Sequence, residues 1–451
     1  MLRLIRFLVL AVLLVAAVVF LVENPGRIGF DWLGWRVDTS VAVALVATLM
    51  LVGLLTALWR AFGWVLAVPG RIGRGIQRRR ERRGLRALTR GLTALAAGRT
   101  GEAARAAERI DSLPESASLA KLLQAQALAA EGDAAQAEER FKALLDEEET
   151  AFLGRRGLLR LALQRGDLAA ALTHAREARA LAPNTPWVLQ ILFDLHCRQG
   201  AWGEAASVLT ALGRVRALEP AVLAQRQATV ALALAGQAER EGAPATALRH
   251  ARVAAQAAPQ FVPAVVALAR LEAQVGKRSK ALAAVEALWR TNPHPDLAAA
   301  YLAAVEGDAL DRFKRAERLA GMAADHVESH MILGVTALDA KLWGEAKRHF
   351  EDALRADPGH PRRALRGLAR AEGDGFDHRE QAISLRERAS EAPDDPHWHC
   401  TSCGMIQPTW APVCGACGAI DSLTWRTAGA GVAGGGLVTL VPDTVALPPA
   451  R

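Results

Sequence analysis

Two apolar runs open the chain. Phe7 to Val22 is sixteen residues without a charged or polar side chain, and Val41 to Trp59 is nineteen, broken only by Thr48, Gly53 and Thr56. A helix of roughly 20 apolar residues crosses a bilayer core. Both runs are therefore predicted to span a membrane, joined by the loop from Glu23 to Ser40 into a two-helix hairpin over residues 1–69. A cleaved leader fits less well, because Val22-Glu23-Asn24-Pro25-Gly26 has no small-residue cleavage site and a second span follows. From Leu85 to Ala392 the pattern changes to apolar positions at helical spacing, punctuated by Gly and Pro, which predicts a long series of short helices.

That series has a period. Gly132-x4-Ala137-x3-Phe141 recurs as Gly166, Ala171 and Ala175, then as Gly200, Ala205 and Leu209, as Gly242, Ala247 and Ala251, and as Gly276, Ala281 and Val285. Ala103, Ala137, Ala171 and Ala205 are 34 residues apart, and Pro183, Pro259, Pro293 and Pro358 fall twelve residues after their alanines. The clearest copy is Leu333-Gly334, Ala337, Ala346, Phe350, Ala353 and Pro358. The period resembles the tetratricopeptide repeat, a helix–turn–helix unit. Small residues let the paired helices approach, the larger residue fills the gap to the next pair, and proline stops the second helix. Two spacings depart: 42 residues from Ala205 to Ala247, and 65 from Ala281 to Ala346, with a degenerate copy between Ala299 and Met322. The expectation for residues 87–392 is seven to nine repeats in a right-handed superhelix whose concave face receives protein partners.

Composition agrees: 51% hydrophobic but 5% aromatic suits an all-α fold packed through small side chains, and not a β-sandwich. The net charge of +8 is local. Between Arg71 and Arg86 stand eight arginines and one acid, Glu81, so residues 70–86 form a basic juxtamembrane segment. No aromatic residues interleave with them to stack bases, which argues against nucleic acid and for anionic lipid headgroups. Arginines flank the hairpin's outer ends, whereas its loop carries Arg27 and Arg36 against Glu23, Asp31 and Asp38. The positive-inside rule then leaves both termini and the repeats cytoplasmic, with Trp32, Trp35, Trp59 and Trp64 at the interfaces.

Four of the five cysteines form two C-x2-C pairs, Cys400/Cys403 and Cys414/Cys417, ten residues apart. Four thiolates from two tight turns, each followed by glycine (Gly404, Gly418), predict a closed tetrahedral metal site over 397–426. Zinc suits it as a structural ion, and iron uses the same ligands. His397 and His399 are spare ligands or exposed residues ahead of the knuckle, and Trp398, Trp410 and Trp425 form its small core or a docking face. Cys197 is a small buried hydrophobe. His174, His196, His250, His330 and His349 are scattered over helices with no paired carboxylate or nucleophile, so they are assigned to surface or packing and the chain to no enzyme class. Gly429-x-Gly431-x-x-Gly434 lacks the strand, helix and downstream acid of a dinucleotide site, and residues 427–451 read as a flexible tail.

The first span, Glu23-Asn24-Pro25-Gly26, Asp31-Trp32-Leu33-Gly34, the second span and the early repeats together resemble the HemY-type proteins of Gram-negative bacteria. That resemblance implies an inner-membrane scaffold at a late stage of protoheme synthesis, organising membrane-associated enzymes without catalysis. The cysteine knuckle is similar to the rubredoxin-type domain of the lipopolysaccharide assembly protein B family, which also joins an anchor, repeats and two C-x2-C pairs. It implies the alternative, a regulatory adaptor of envelope lipid synthesis or membrane proteolysis. A third class, heme or porphyrin handling, has only His196-Cys197 and His397-x-His399 as local candidates, and neither is a C-x-x-C-H motif.

Overall fold

The computed structural model describes residues 2–23, 26–32, 35–111 and 117–427, with the side chains of 63–83 outside that description. The Gly429 pattern, most of the tail, Asn24-Pro25, Leu33-Gly34 and the side chains of most of the arginine run and of Trp32, Trp35 and Trp64 therefore lie outside it. The chain divides into two compact units, 1–123 and 124–451.

In the first unit, helix α1 (Leu2–Glu23) contains the first apolar run. The segment expected as a plain loop is a β-hairpin. Strands β1 (Arg27–Trp32) and β2 (Trp35–Ser40) pair antiparallel, with Arg27 opposite Ser40 and Trp32 opposite Trp35. Two six-residue strands joined by two residues meet the length rule for a tight hairpin, a signal the hydrophobic pattern alone did not carry. Ser40 then caps α2 (Val41–Ala96), accepting from the Val43 N–H at 3.4 Å. The second span and the basic segment, expected as separate pieces, belong to this one helix of 56 residues. Arginine is a good helix former, and Pro69-Gly70 lies inside this helix without ending it. Among the described residues one window, Val43–Arg60, is long and apolar enough to cross a membrane, and none of it is buried. Of the two expected spans, the second therefore has support. The far end of α2 packs on α3 (Thr100–Asp111) over Ala106, Ala107 and Ile110, with Leu123 against Gly91.

The second unit is a stack of helix pairs. After α4 (Ala117–Glu131) and α5 (Ala134–Ala143) come α6 (Glu148–Gln164) with α7 (Leu168–Leu181), and α8 (Pro186–Arg198) with α9 (Trp202–Arg214). Next are α10 (Pro220–Arg240) with α11 (Pro244–Ala257), and α12 (Val262–Gln274) with α13 (Arg278–Trp289). The series closes with α14 (Pro295–Ala304) and α15 (Ala309–Ala320), α16 (Val327–Asp339) and α17 (Trp343–Ala356), and α18 (Arg362–Arg370) and α19 (Arg379–Glu391). The helices α14 and α15 are the degenerate copy in the 65-residue gap.

The repeated glycine ends each first helix: Gly132, Gly166, Gly200, Gly242 and Gly276 all have positive φ, between 71° and 88°. Lys341 occupies the equivalent place between α16 and α17 at φ 57°, where a side chain strains the backbone. The large residue of the motif fills space that other glycines vacate. Phe350 is fully buried, and a Cβ added to Gly334 or Gly367 would come within 2.7 or 2.3 Å of its ring. The 42-residue spacing also has a cause: α10 runs 21 residues, with its first two turns preceding the usual start of a first helix.

Candidate metal centre

Three short strands, β3 (His397–Cys400), β4 (Ile406–Gln407) and β5 (Leu423–Arg426), form an antiparallel sheet in the order β4-β3-β5. Each cysteine pair closes the same turn. The N–H of Gly404 bonds the Cys400 carbonyl at 2.9 Å, and the N–H of Gly418 bonds the Cys414 carbonyl at 2.9 Å, with both glycines near φ 70°. These turns bring the four Sγ atoms within 4.8 Å of one another, with Cys400–Cys417 and Cys403–Cys414 each at 3.7 Å. A tetrahedral ion with metal–sulfur bonds of about 2.3 Å places its sulfurs about 3.8 Å apart, so the spacing fits.

Donors surround the sulfurs: Ser422 Oγ lies 3.3 Å from Cys400 Sγ, and Gln407 Nε2 donates to Cys414 Sγ at 3.4 Å. Burial opposes ionisation of Cys400, but Ser422 and the backbone N–H groups of Cys403 and Ser402 bring it down to about 6. Burial and the neighbouring sulfurs push Cys417 up to about 12. Four thiols this close cannot all ionise against one another; a central cation removes that conflict.

The knuckle is seated on the repeats by its own residues. Thr229 Oγ1 donates to Asp421 Oδ1 at 2.8 Å and Gln225 Nε2 to the same oxygen at 3.2 Å. Gln225 lies in the extra two turns of α10, so the break in period builds the shelf that receives the knuckle. Val413 and Ile420 pack against the core that contains Leu192, Phe193 and Val230. Gly418 faces the Arg198 guanidinium, where a Cβ would meet it at 3.2 Å. Further along, the Trp410 ring meets Phe261 edge-on at 5.1 Å, and Trp398 Nε1 donates to Asp296 at 3.2 Å. His294 lies against both Trp398 and Trp425, at 5.6 and 4.6 Å between ring centroids. Helices α8, α10 and α14 and the entry to α12 thus present one face to the knuckle. The linker is pinned as well: Arg363 bridges Glu328 and Asp395, and Arg362 holds Asp394.

Beside the seated knuckle a groove of about 730 Å³ stays open, floored by Ala235, Ala267 and Ala300 and walled by Trp410. The Arg270–Glu239 pair, 2.6 and 2.7 Å, lies at its edge.

The tryptophans form both core and docking face. His399 corrects an expectation: it is 5% exposed on the central strand β3, so it is neither a surface residue nor a member of the sulfur cluster. His397 is half-buried, with Nδ1 2.6 Å from the Asp395 carbonyl. His196 and Cys197 are both buried in α8, and burial drives the Cys197 thiol well above its usual range. Among the described residues one other set of ligand-type atoms converges within 4.8 Å: His330, His349 and Asp352. Their separate positions in the sequence concealed it. The signal was phase: the two histidines stand 19 residues apart on the paired helices of one repeat.

Residues 26–132 match the family model described as HemY protein N-terminus. The match runs over the β-hairpin, α2, α3 and α4. Over 445 residues it is 28% identical to a probable magnetosome protein, Mms48, of Magnetospirillum gryphiswaldense, covering 94% of this chain and 93% of that one. Similar solved structures include the TPR2AB domain of yeast Sti1 in complex with an Hsp90 peptide, at 12% identity, 68% and 98% coverage and TM-score 0.26. A tetratricopeptide repeat protein from Parabacteroides merdae aligns at 13% identity, with 56% and 92% coverage and TM-score 0.28. MamA from Desulfovibrio magneticus aligns at 16% identity, with 37% and 94% coverage and TM-score 0.24.

Proposed function

We propose that this chain is a non-catalytic adaptor of the bacterial inner membrane, whose repeats hold membrane-associated enzymes of late protoheme synthesis. The observation that carries the anchoring is α2, whose exposed apolar window Val43–Arg60 continues as one helix into the packed turns at Gly91. A single helix couples the position of the first repeat to the membrane more rigidly than a linker would. Its arginine-rich stretch, 71–86, begins eleven residues past the apolar window, where anionic headgroups would meet it. The full reading has α1 as a second span and both termini in the cytoplasm.

The HemY N-terminal match supports the heme assignment. The groove beside Trp410, lined by successive first helices, suits a segment of a protein partner. Cys400, Cys403, Cys414 and Cys417 would hold zinc, or iron through the same ligands, as a closed structural site with no position for substrate. The ion would stabilise a knuckle too small to fold on its apolar core alone.

A second reading is favoured by the knuckle's seat on the first-helix face: an adaptor of envelope lipid synthesis or membrane proteolysis, similar to lipopolysaccharide assembly protein B. Crosslinking of the tagged full chain in native membranes, followed by mass spectrometry, separates the two. Recovery of ferrochelatase or a protoporphyrinogen-oxidising enzyme is the expected result. Recovery of envelope-lipid enzymes or a membrane protease without them would overturn the heme reading and establish the second.

A further inference from the structure

We propose that His330, His349 and Asp352 form a second metal site, open to an outside ligand, for a divalent first-row transition ion. The three side chains come from one repeat. His330 lies on α16, and His349 and Asp352 lie three residues apart on one face of α17. One ligand atom from each converges within 4.8 Å of the others, so small side-chain rotations bring all three onto one ion. The two imidazoles stack at 6.1 Å between centroids with 30° between their planes.

A second observation is independent of that convergence. His349 is 7% exposed, and its Nδ1 and that of His330 are both buried atoms with no hydrogen-bond partner. Buried polar atoms without partners are costly, and here the two stacked rings each carry one. The Nε2 of His349 is already engaged, 3.2 Å from the Arg348 guanidinium and 3.7 Å from Glu345, so Nδ1 is the nitrogen left over. Of the neighbouring cations, Arg348 is paired with Glu345 outside the ligand set, whereas Arg355 is paired with the ligand Asp352. An ion would take the place of Arg355 on Asp352.

The donor set selects the ligand class. Two imidazoles and one carboxylate suit Zn²⁺, Co²⁺, Ni²⁺ or Fe²⁺, and not the oxygen-seeking Ca²⁺ or Mg²⁺. Three protein ligands leave at least one coordination position vacant, unlike the closed sulfur site. His330 and Asp352 are only half-buried, so that position faces solvent and can accept a ligand from a partner. Across α16 and α17 the ion would also tie the two helices together.

The test uses the detergent-solubilised full chain with its cysteines filled by Zn²⁺, titrated with Co²⁺ and read by visible absorption. The expected result is one further equivalent of Co²⁺ with weak ligand-field bands and no sulfur charge-transfer band. His330→Ala should weaken it by at least about 100-fold. The conservative Asp352→Asn should do the same while leaving helicity and bound Zn²⁺ unchanged. No further Co²⁺ beyond the cysteine site, or binding by both variants as tight as the parent's, would overturn the proposal.

Discussion

Thr229 donates its hydroxyl to Asp421 at 2.8 Å across 192 residues of chain, and its side chain has no exposure to solvent. The contact fixes the knuckle to the shelf made by the long α10. Asp421→Ala would leave that hydroxyl buried without an acceptor, a loss of about 1–3 kcal/mol. Asp421→Asn keeps an acceptor oxygen and tolerates the left-handed backbone at φ 51°. Hydrogen exchange over residues 397–427 should therefore accelerate in the alanine variant and change little in the asparagine one. Equal protection in both would show that the apolar contacts of Val413, Ile420 and Trp410 hold the knuckle without this bond.

The sulfur cluster supplies a second test. With Cys400 and Cys403 both replaced by serine, the protein should lose one equivalent of bound metal and the protection of strands β3 to β5. The helix pairs have cores of their own, such as the one around Trp289, Tyr301 and Phe350, so far-UV circular dichroism should stay near the parent value. A collapse of helicity would make knuckle and repeats one cooperative unit.

Phe350 between Gly334 and Gly367 gives a packing test. In Gly367→Ala the added methyl would stand 2.3 Å from the ring, and overpacking of this kind costs about 1–3 kcal/mol. Lys341→Gly should act in the opposite direction, gaining about 1 kcal/mol by relieving the left-handed backbone at φ 57°. Thermal unfolding of the two variants should therefore shift to opposite sides of the parent. A Lys341→Gly variant less stable than the parent would contradict the strain argument.

Asp194 ties stability to pH. Burial raises its carboxyl to about 6, against the opposing pull of Arg226 and Arg198. A carboxyl raised in the folded state binds more protons there than in the unfolded chain between about pH 4 and 6. Its favourable contribution is complete below that window and is lost as pH rises through 6. Asp194→Asn should flatten the slope between pH 4 and 6 and gain on the order of 2 kcal/mol at pH 7. An unchanged slope would place the titration elsewhere.

Much of this architecture was legible because it repeats. The 34-residue phase of Ala137, Ala171 and Ala205 marked the helix pairs, and the spacing of Cys400, Cys403, Cys414 and Cys417 marked the sulfur cluster. Three features were not legible, each for a physical reason. The hairpin at β1 and β2 depends on strand pairing, which a hydrophobic count does not register. The docking of Asp421 on Thr229 is a contact at long separation, although the 42-residue gap from Ala205 to Ala247 marked its place as an anomaly. His330 and His349 read as scattered until the repeat's own fold set them face to face.

Binding of a protein partner on the first-helix face beside Trp410 can be tested by site-specific photo-crosslinking in native membranes. A photoreactive residue would replace Ala299, which lines the groove, and in a control protein Lys142, exposed on α5. The expected result is a discrete protein adduct from position 299, in the membrane fraction, and none of that mass from position 142. Adducts from 142 alone, or none from 299, would contradict a partner in the groove.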